Sequence, residues 1–233
     1  MDNPWLNRKY VEEYTLLNKA WDESAPQEVD FIIEELSLSP GEKILDIGCG
    51  SGRHAVEFAK RGFKVTGIDI SPHQIELAKK RAENEEVDVE FIVMDGLQLN
   101  YKEEFDAVLN LYTSVLGELG SLANDLLFLK KLVRAIKPGG KLIISTLNAY
   151  RQAWKGNEKF DPVTSTVEWR AVVEEKLYTG PVRFFTPQEL IIALDFLGVD
   201  VLSVYGADTP GELPLRKKFA IKSIELVITG RKR

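Results

Sequence analysis

Several things that carry chemistry elsewhere are scarce in this 233-residue sequence. It has one cysteine, Cys49, so no disulfide can form within the chain. A lone cysteine fits a reducing compartment. Histidines number two, His54 and His73, and no metal site is expected from them. There is no excess of basic residues: 30 Lys and Arg face 36 Asp and Glu, a formal charge of -6. That balance weighs against a nucleic-acid partner, which needs a positive field. No uncharged apolar run reaches membrane-spanning length. The opening stretch MDNPWLNRKYVEEY has no apolar core of the signal-peptide kind. The expectation is a soluble, cytoplasmic chain with no membrane partner, monomeric or homodimeric. No internal repeat or low-complexity segment interrupts it. What remains is an ordinary globular composition, 44% hydrophobic, enough for one substantial core.

Hydrophobic periodicity supplies the elements. Residues 8–37 read as two helices, with Tyr10, Tyr14 and Leu17 on one stripe and Val29, Ile32, Ile33 and Leu36 on another. Pro26 is expected to divide them. Strand patterns follow at 43–48, 64–70, 89–95, 105–112 and 141–147, with helix patterns at 53–61, 72–84 and 122–136. Such alternation predicts a parallel sheet covered on both faces. Pro138-Gly139-Gly140 reads as the turn before the fifth strand. Residues 148–182 break the rhythm, carrying Trp154, Trp169, Pro162 and Pro181. They predict an insertion that adds a strand or hairpin near the binding edge. A helix from Thr186-Pro187 and strands at 199–205 and 221–229 close the chain. The loop between those strands is too short for a crossover helix, so they should pair antiparallel.

Three glycines, Gly48, Gly50 and Gly52, sit between the first strand and its helix. That turn puts a helix N-terminus at the carboxyl edge of the sheet, where doubly wound folds bind ligands. Glycine there tolerates positive φ and leaves no Cβ between backbone and ligand. A dinucleotide site would need a third glycine where Arg53 stands. A P-loop would need Gly-Lys-Ser/Thr, which is missing.

The run Asp46-Ile47-Gly48-Cys49-Gly50-Ser51-Gly52 resembles motif I of the class I S-adenosylmethionine-dependent methyltransferases. Asp69 after the second strand, Met94-Asp95-Gly96 after the third and Lys137-Pro138-Gly139-Gly140-Lys141 before the fifth are similar to later motifs of that family. The resemblance covers roughly residues 40–147. It implies an α/β, Rossmann-like, doubly wound seven-stranded sheet, mostly parallel with an antiparallel final pair. A helical cap would occupy 1–37, the cofactor-binding core 38–147, the insertion near the acceptor 148–182, and completion of the core 183–233. The implied cofactor is S-adenosyl-L-methionine. Asp69 would hold the ribose hydroxyls, Asp95 and the Gly96 N–H the adenine, and Ile70 and Leu97 its two faces. Gly48 and Gly50 would let the methionine portion approach, with Cys49 packed beneath. Asp46 would meet the ammonium or fix the glycine loop, the Asn110 carbonyl would also accept from the ammonium, and Tyr14 would reach the carboxylate.

The methyl acceptor should be decided at residues 110–119, NLYTSVLGEL. Adenine-N6 and glutamine methyltransferases carry Pro-Pro here, and this chain does not. Residues 112–117 are instead similar to a segment of small-molecule methyltransferases, aminosugar N-methyltransferases among them. The departure at Leu116-Gly117-Glu118 prevents carrying the sugar over. Acceptor-pocket candidates are Tyr112, Ser114, Tyr150, Trp154 and Arg183. The reading is methyl transfer, N- or O-directed, to a small molecule enclosed by the N-terminal helices and the insertion. His54 and His73 read as helix-start residues rather than catalysts. The alternatives are a methyltransferase acting on RNA or protein, an NAD-dependent oxidoreductase, and a non-catalytic S-adenosylmethionine-binding module.

Overall fold

A computed structural model describes residues 3–17, 19–112, 115–208 and 217–233. Its N-terminal segment holds helix α1 (Arg8–Leu17), a 3-10 stretch (Lys19–Ser24) and helix α2 (Ala25–Leu36). The break therefore precedes Pro26 rather than falling at it. Pro26 sits in the first turn of α2, where a missing N–H costs no hydrogen bond. Helix α1 buries Val11 fully, while Leu17, expected on its apolar stripe, is exposed.

Then comes the alternation: β1 (Lys43–Ile47), α3 (Arg53–Lys60), β2 (Lys64–Asp69), α4 (Pro72–Asn84), β3 (Glu90–Val93), β4 (Phe105–Asn110), α5 (Leu122–Ala135) and β5 (Ile136–Leu147). The insertion contributes α6 (Ala149–Lys155) and a separate antiparallel sheet of β6 (Phe160–Asp161), β7 (Thr166–Val173) and β8 (Lys176–Arg183). Helix α7 (Pro187–Phe196) and strands β9 (Val199–Ala207) and β10 (Glu225–Lys232) finish the chain. The seven-stranded sheet has the order β3-β2-β1-β4-β5-β10-β9, with β10 antiparallel to both neighbours. Residues 209–216 of the loop before β10 lie outside the described residues. Among the described residues, no helix is long and apolar enough to cross a membrane.

The sheet is buried on both faces because its strands are apolar at successive positions. Ile44, Leu109, Ile143 and Val227 point into one core with Val29, Ile32 and Phe58. Leu45, Val108, Ile144 and Ile228 point into the other with Phe128, Leu129 and Leu190. Adjacent residues thus serve opposite cores, as the two-residue strand period requires. Local signals start the helices: the Ser71 side chain caps α4 ahead of Pro72, and Thr186 with Glu189 forms a capping box on α7.

Two strand starts differ most from the sequence expectation. Strand β5 begins at Ile136, directly after α5, and runs through Pro138-Gly139-Gly140. Ile136 pairs with Phe105, and a register shift between Phe105 and Ala107 absorbs the irregular backbone. A Cβ on Gly140 would meet Ile136 Cγ2 at 2.8 Å and the Asp106 carbonyl at 2.9 Å, so this glycine serves close packing rather than a turn. Strand β10 starts at Glu225, not 221, because residues 220–223 form a turn whose carbonyls bond the Asn148 side chain.

Phe128 connects core to ligand edge. It is fully buried on α5, and a Cβ on Gly96, in the turn after β3, would stand 3.2 Å from its ring. Phe128→Ala is expected to cost about 3–5 kcal/mol of stability in urea denaturation. A loss below about 1 kcal/mol would mean that the core does not support this turn.

Candidate active site

A cleft of about 970 Å³ opens at the carboxyl edge of the parallel strands. Of the residues singled out from sequence, Tyr14, Asp46, Gly48, Cys49, Gly50, Asp69, Ile70, Asp95, Gly96, Leu97 and Tyr112 line it. Asn110, Tyr150, Trp154 and Arg183 do not line it, and Ser114 lies outside the described residues.

The glycine loop is built from its backbone outward. The N–H groups of Gly48 and Cys49 both donate to the Ile68 carbonyl, at 2.8 and 2.9 Å. This folds the loop back over β2. Gly50 and Gly52 have φ of +53° and +78°, the left-handed region that glycine enters freely. Their surroundings differ. A Cβ on Gly52 would strike Phe91 Cζ at 2.9 Å and Ala78 Cβ at 3.0 Å, whereas a Cβ on Gly50 would meet nothing within 4 Å. Packing demands glycine at 52; at 50 the backbone borders open cleft.

Asp69 ties the loop to the end of β2. Its Oδ2 accepts from the Gly50 N–H at 2.9 Å and its Oδ1 from the Ser71 N–H at 2.9 Å. Burial pushes its carboxyl up, while those two N–H groups oppose the shift. Each oxygen retains a lone pair for a ligand hydroxyl. Asp95 caps the short turn after β3, accepting from the Leu97 N–H at 2.8 Å. Asp46 is buried, and its Oδ2 has no hydrogen-bond partner. Burial raises its pKa to about 7, with Arg53 opposing and Asp69 adding. The Cys49 thiol is pushed up by burial and sits against Gly67, at 3.1 Å from where a Cβ would stand.

The Asn110 side chain is fully buried; its amide N–H donates to the Ile47 carbonyl at 3.0 Å while its Oδ1 has no partner among the described residues. Three candidates are engaged elsewhere. Arg183 pairs with Glu189 at 2.8 Å and donates to the Thr164 carbonyl, holding the β8 end against α7. The Tyr150 hydroxyl bonds Gln188 Oε1 at 2.8 Å. Trp154 is 54% exposed, with the Lys222 ammonium over its ring.

Residues that the motifs did not indicate complete the site. Glu28, buried on α2, gathers partners on both carboxylate oxygens. The Tyr112 hydroxyl and Ser24 Oγ donate to its Oε1 at 2.5 and 2.9 Å. His54 Nε2 and Arg53 Nη1 meet its Oε2 at 2.6 and 3.0 Å. Burial alone would raise the Glu28 carboxyl, but these hydrogen bonds and the Arg53 charge hold it well below the usual range. Burial and Arg53 together push His54 down to about 4, so a neutral imidazole donates to an ionised carboxylate. Tyr112, with φ +59°, is a non-glycine residue in left-handed conformation. Its ring stacks on His54 (5.8 Å, 8°) and on Trp21 (6.3 Å, 25°), and its N–H donates to Ser145 Oγ. Nearby, Glu225 is raised to about 8 by burial and the neighbouring Glu28 charge.

Two outcomes follow from this geometry. Gly50→Ala and Gly52→Ala share a left-handed strain of roughly 1–2 kcal/mol. Only Gly52→Ala adds a packing clash, of about 1–3 kcal/mol. Thermal unfolding should therefore rank Gly52→Ala below Gly50→Ala, and ligand titration should rank them the other way; equal behaviour in both assays contradicts the assignment. Glu225 binds its proton more tightly folded than unfolded. Its contribution to stability is therefore complete below pH 4.5 and lost as pH rises through about 8. Glu225→Gln should flatten the decline in Tm across that window, and an unchanged slope would show that Glu225 does not titrate there.

A family model described as a methyltransferase domain matches residues 38–179. The ubiquinone biosynthesis O-methyltransferase of Xanthomonas oryzae pv. oryzae is 31% identical over 144 residues, covering 57% of this chain and 58% of that protein. The chain thus spans less than two thirds of the curated relatives it matches. A solved SAM-dependent methyltransferase from Methanosarcina mazei superposes with a TM-score of 0.69 at 25% identity, over 86% of this chain and 96% of that one. A Burkholderia thailandensis 1,6-didemethyltoxoflavin-N1-methyltransferase, solved with S-adenosylhomocysteine, shares the fold at a TM-score of 0.62 and 20% identity, over 100% of this chain and 91% of that one. With the glycine loop, Asp69 and Asp95 at the carboxyl edge of this sheet, and the match spanning most of its parallel strands, the chain belongs to the methyltransferase-domain family.

Proposed function

We propose that the cleft binds S-adenosylmethionine and that the protein transfers its methyl group to a small-molecule acceptor. The observation that carries this reading is the buried, unpartnered Asp46 oxygen beside the open space over Gly50. A buried carboxylate oxygen without a donor is costly, and a ligand ammonium relieves that cost. Asp69 would accept from the ribose hydroxyls. Asp95 would meet the adenine amine, with Ile70 and Leu97 against the ring. When bound, S-adenosylmethionine supplies an electrophilic methyl group carried on a sulfonium. The protein's part is to orient the two partners, which is worth effective molarities on the order of 10⁵ M and more. Enclosure is the other part: α1 and the β7–β8 hairpin both border the cleft, limiting water.

The acceptor reading rests on those walls. Trp5, Tyr10, Tyr14, Trp21 and Trp169 line the cleft, as aromatic residues line small-molecule pockets. The charge of -6 favours a metabolite over nucleic acid. The buried, unpaired Cys49 accords with a reducing cytoplasm.

Asp69→Ala should weaken S-adenosylmethionine binding by about 3 kcal/mol, on the order of a hundredfold. Calorimetry giving wild-type affinity in the variant removes Asp69 from the site. Incubation with methyl-labelled cofactor and fractionated extract should label the metabolite fraction. Label confined to bulk RNA or protein would overturn the acceptor assignment and leave the cofactor assignment standing.

A further inference from the structure

The outer part of the cleft is an aromatic box drawn from two distant stretches of chain. Trp5 precedes α1, Tyr10 and Tyr14 lie on it, and Trp169 comes from β7. The Trp5 ring stands edge-to-face with Tyr10 (5.1 Å, 76°) and Tyr14 (4.8 Å, 83°). Tyr10 does the same with Trp169 (5.9 Å, 84°). At the junction lies Glu118, whose Oε2 accepts from the Trp5 indole Nε1 at 3.2 Å. Glu118 is exposed to solvent through the cleft, and the protein atoms crowded around it push its carboxyl up from the usual range.

The cleft's own cations are committed. Arg53 is paired with Glu28, Arg8 with Glu12, and Lys80 with Glu76. Among the described residues, Glu118 has no cationic partner. Aromatic rings and a carboxylate that line the same part of a cleft offer π-electron density and negative charge to one guest, an arrangement that suits an organic cation. A neutral aromatic guest would leave the carboxylate uncompensated.

We infer that this box, closed by the Glu118 carboxylate, is the acceptor subsite and takes a small organic amine in its cationic form. The inference rests on the methyl-transfer reading and narrows its acceptor to an amine. Glu118 would hold the ammonium and receive its proton, leaving the nitrogen lone pair free; Glu118 then returns that proton to water.

The probe is tetramethylammonium, with neopentyl alcohol as its uncharged counterpart of similar shape. Binding is followed through the indole N–H resonances of ¹⁵N-labelled protein saturated with S-adenosylhomocysteine, whose sulfur is neutral. Tetramethylammonium should bind and shift the Trp5 indole signal, and neopentyl alcohol should bind at least about tenfold more weakly, a difference within the reach of one cation–π contact and one charge pair. Glu118→Gln should weaken the cation by a similar factor while leaving S-adenosylhomocysteine affinity unchanged. Trp5→Phe keeps a ring without the indole N–H and should retain most of the binding, read then by the Trp169 resonance. Equal binding of cation and alcohol, an unaltered affinity in Glu118→Gln, or displacement of the cation by S-adenosylhomocysteine would each overturn the inference. If S-adenosylhomocysteine itself fails to bind, the methyl-transfer reading falls. The same titration on the protein alone then still decides whether the box takes a cation.

Discussion

The buried carboxylate of Glu28 is the constraint on which the site depends. It comes from α2, outside the alternating core, and it holds the first turn of α3 through Arg53 and His54 and the end of β4 through Tyr112. Taking such a charge out of water costs several kcal/mol unless its partners are well placed. Here each oxygen has at least two of them. The consequence is geometric. The N-terminal segment cannot sit elsewhere without stranding a charge, so its aromatic residues are kept above the glycine loop. The further links Arg81–Asp22 and Gln74–Thr15 tie the same segment to α4.

This clamp also explains the strained position of Tyr112. A non-glycine residue at φ +59° persists only where its surroundings over-determine it. Tyr112 is fixed at its N–H by Ser145, at its hydroxyl by Glu28, and on its ring by His54, Trp21 and the Arg53 guanidinium. The chain just past β4 is thereby tied to α2, α3 and β5. Asp46 and Asp69 stand at the same cleft as carboxyls raised by burial. Such a site favours a positively charged guest, which a sulfonium bearing an ammonium is.

The sheet was legible in the sequence because its signals are local. Apolar strands, a capped helix at Ser71-Pro72 and glycines between β1 and α3 each act within a few residues. That Asp46, Asp69 and Asp95 would line one cleft was legible for the same reason, since each stands at or near a strand end. Pro138-Gly139-Gly140 misled because turn chemistry and close strand packing use the same residues. Glu28 was not legible: it lies 26 residues from His54 and 84 from Tyr112, and along α2 it reads as an ordinary helix acid. Glu118 and Trp5 are 113 residues apart, and nothing in the spacing connects them. Tyr150 and Trp154 drew attention through the aromatic content of the insertion. That insertion reaches the cleft through its hairpin, at Trp169 and residues 179–182, while Tyr150 and Trp154 on α6 are engaged away from it.

A crystal structure of the protein with S-adenosylhomocysteine tests the central claim most directly. Expected is a ribose with both hydroxyls on Asp69, an adenine amine on Asp95, an ammonium at the Asp46 oxygen and a thioether facing Tyr14 and Tyr112. A ligand seated outside the glycine loop, or one leaving Asp46 and Asp69 untouched, would contradict it.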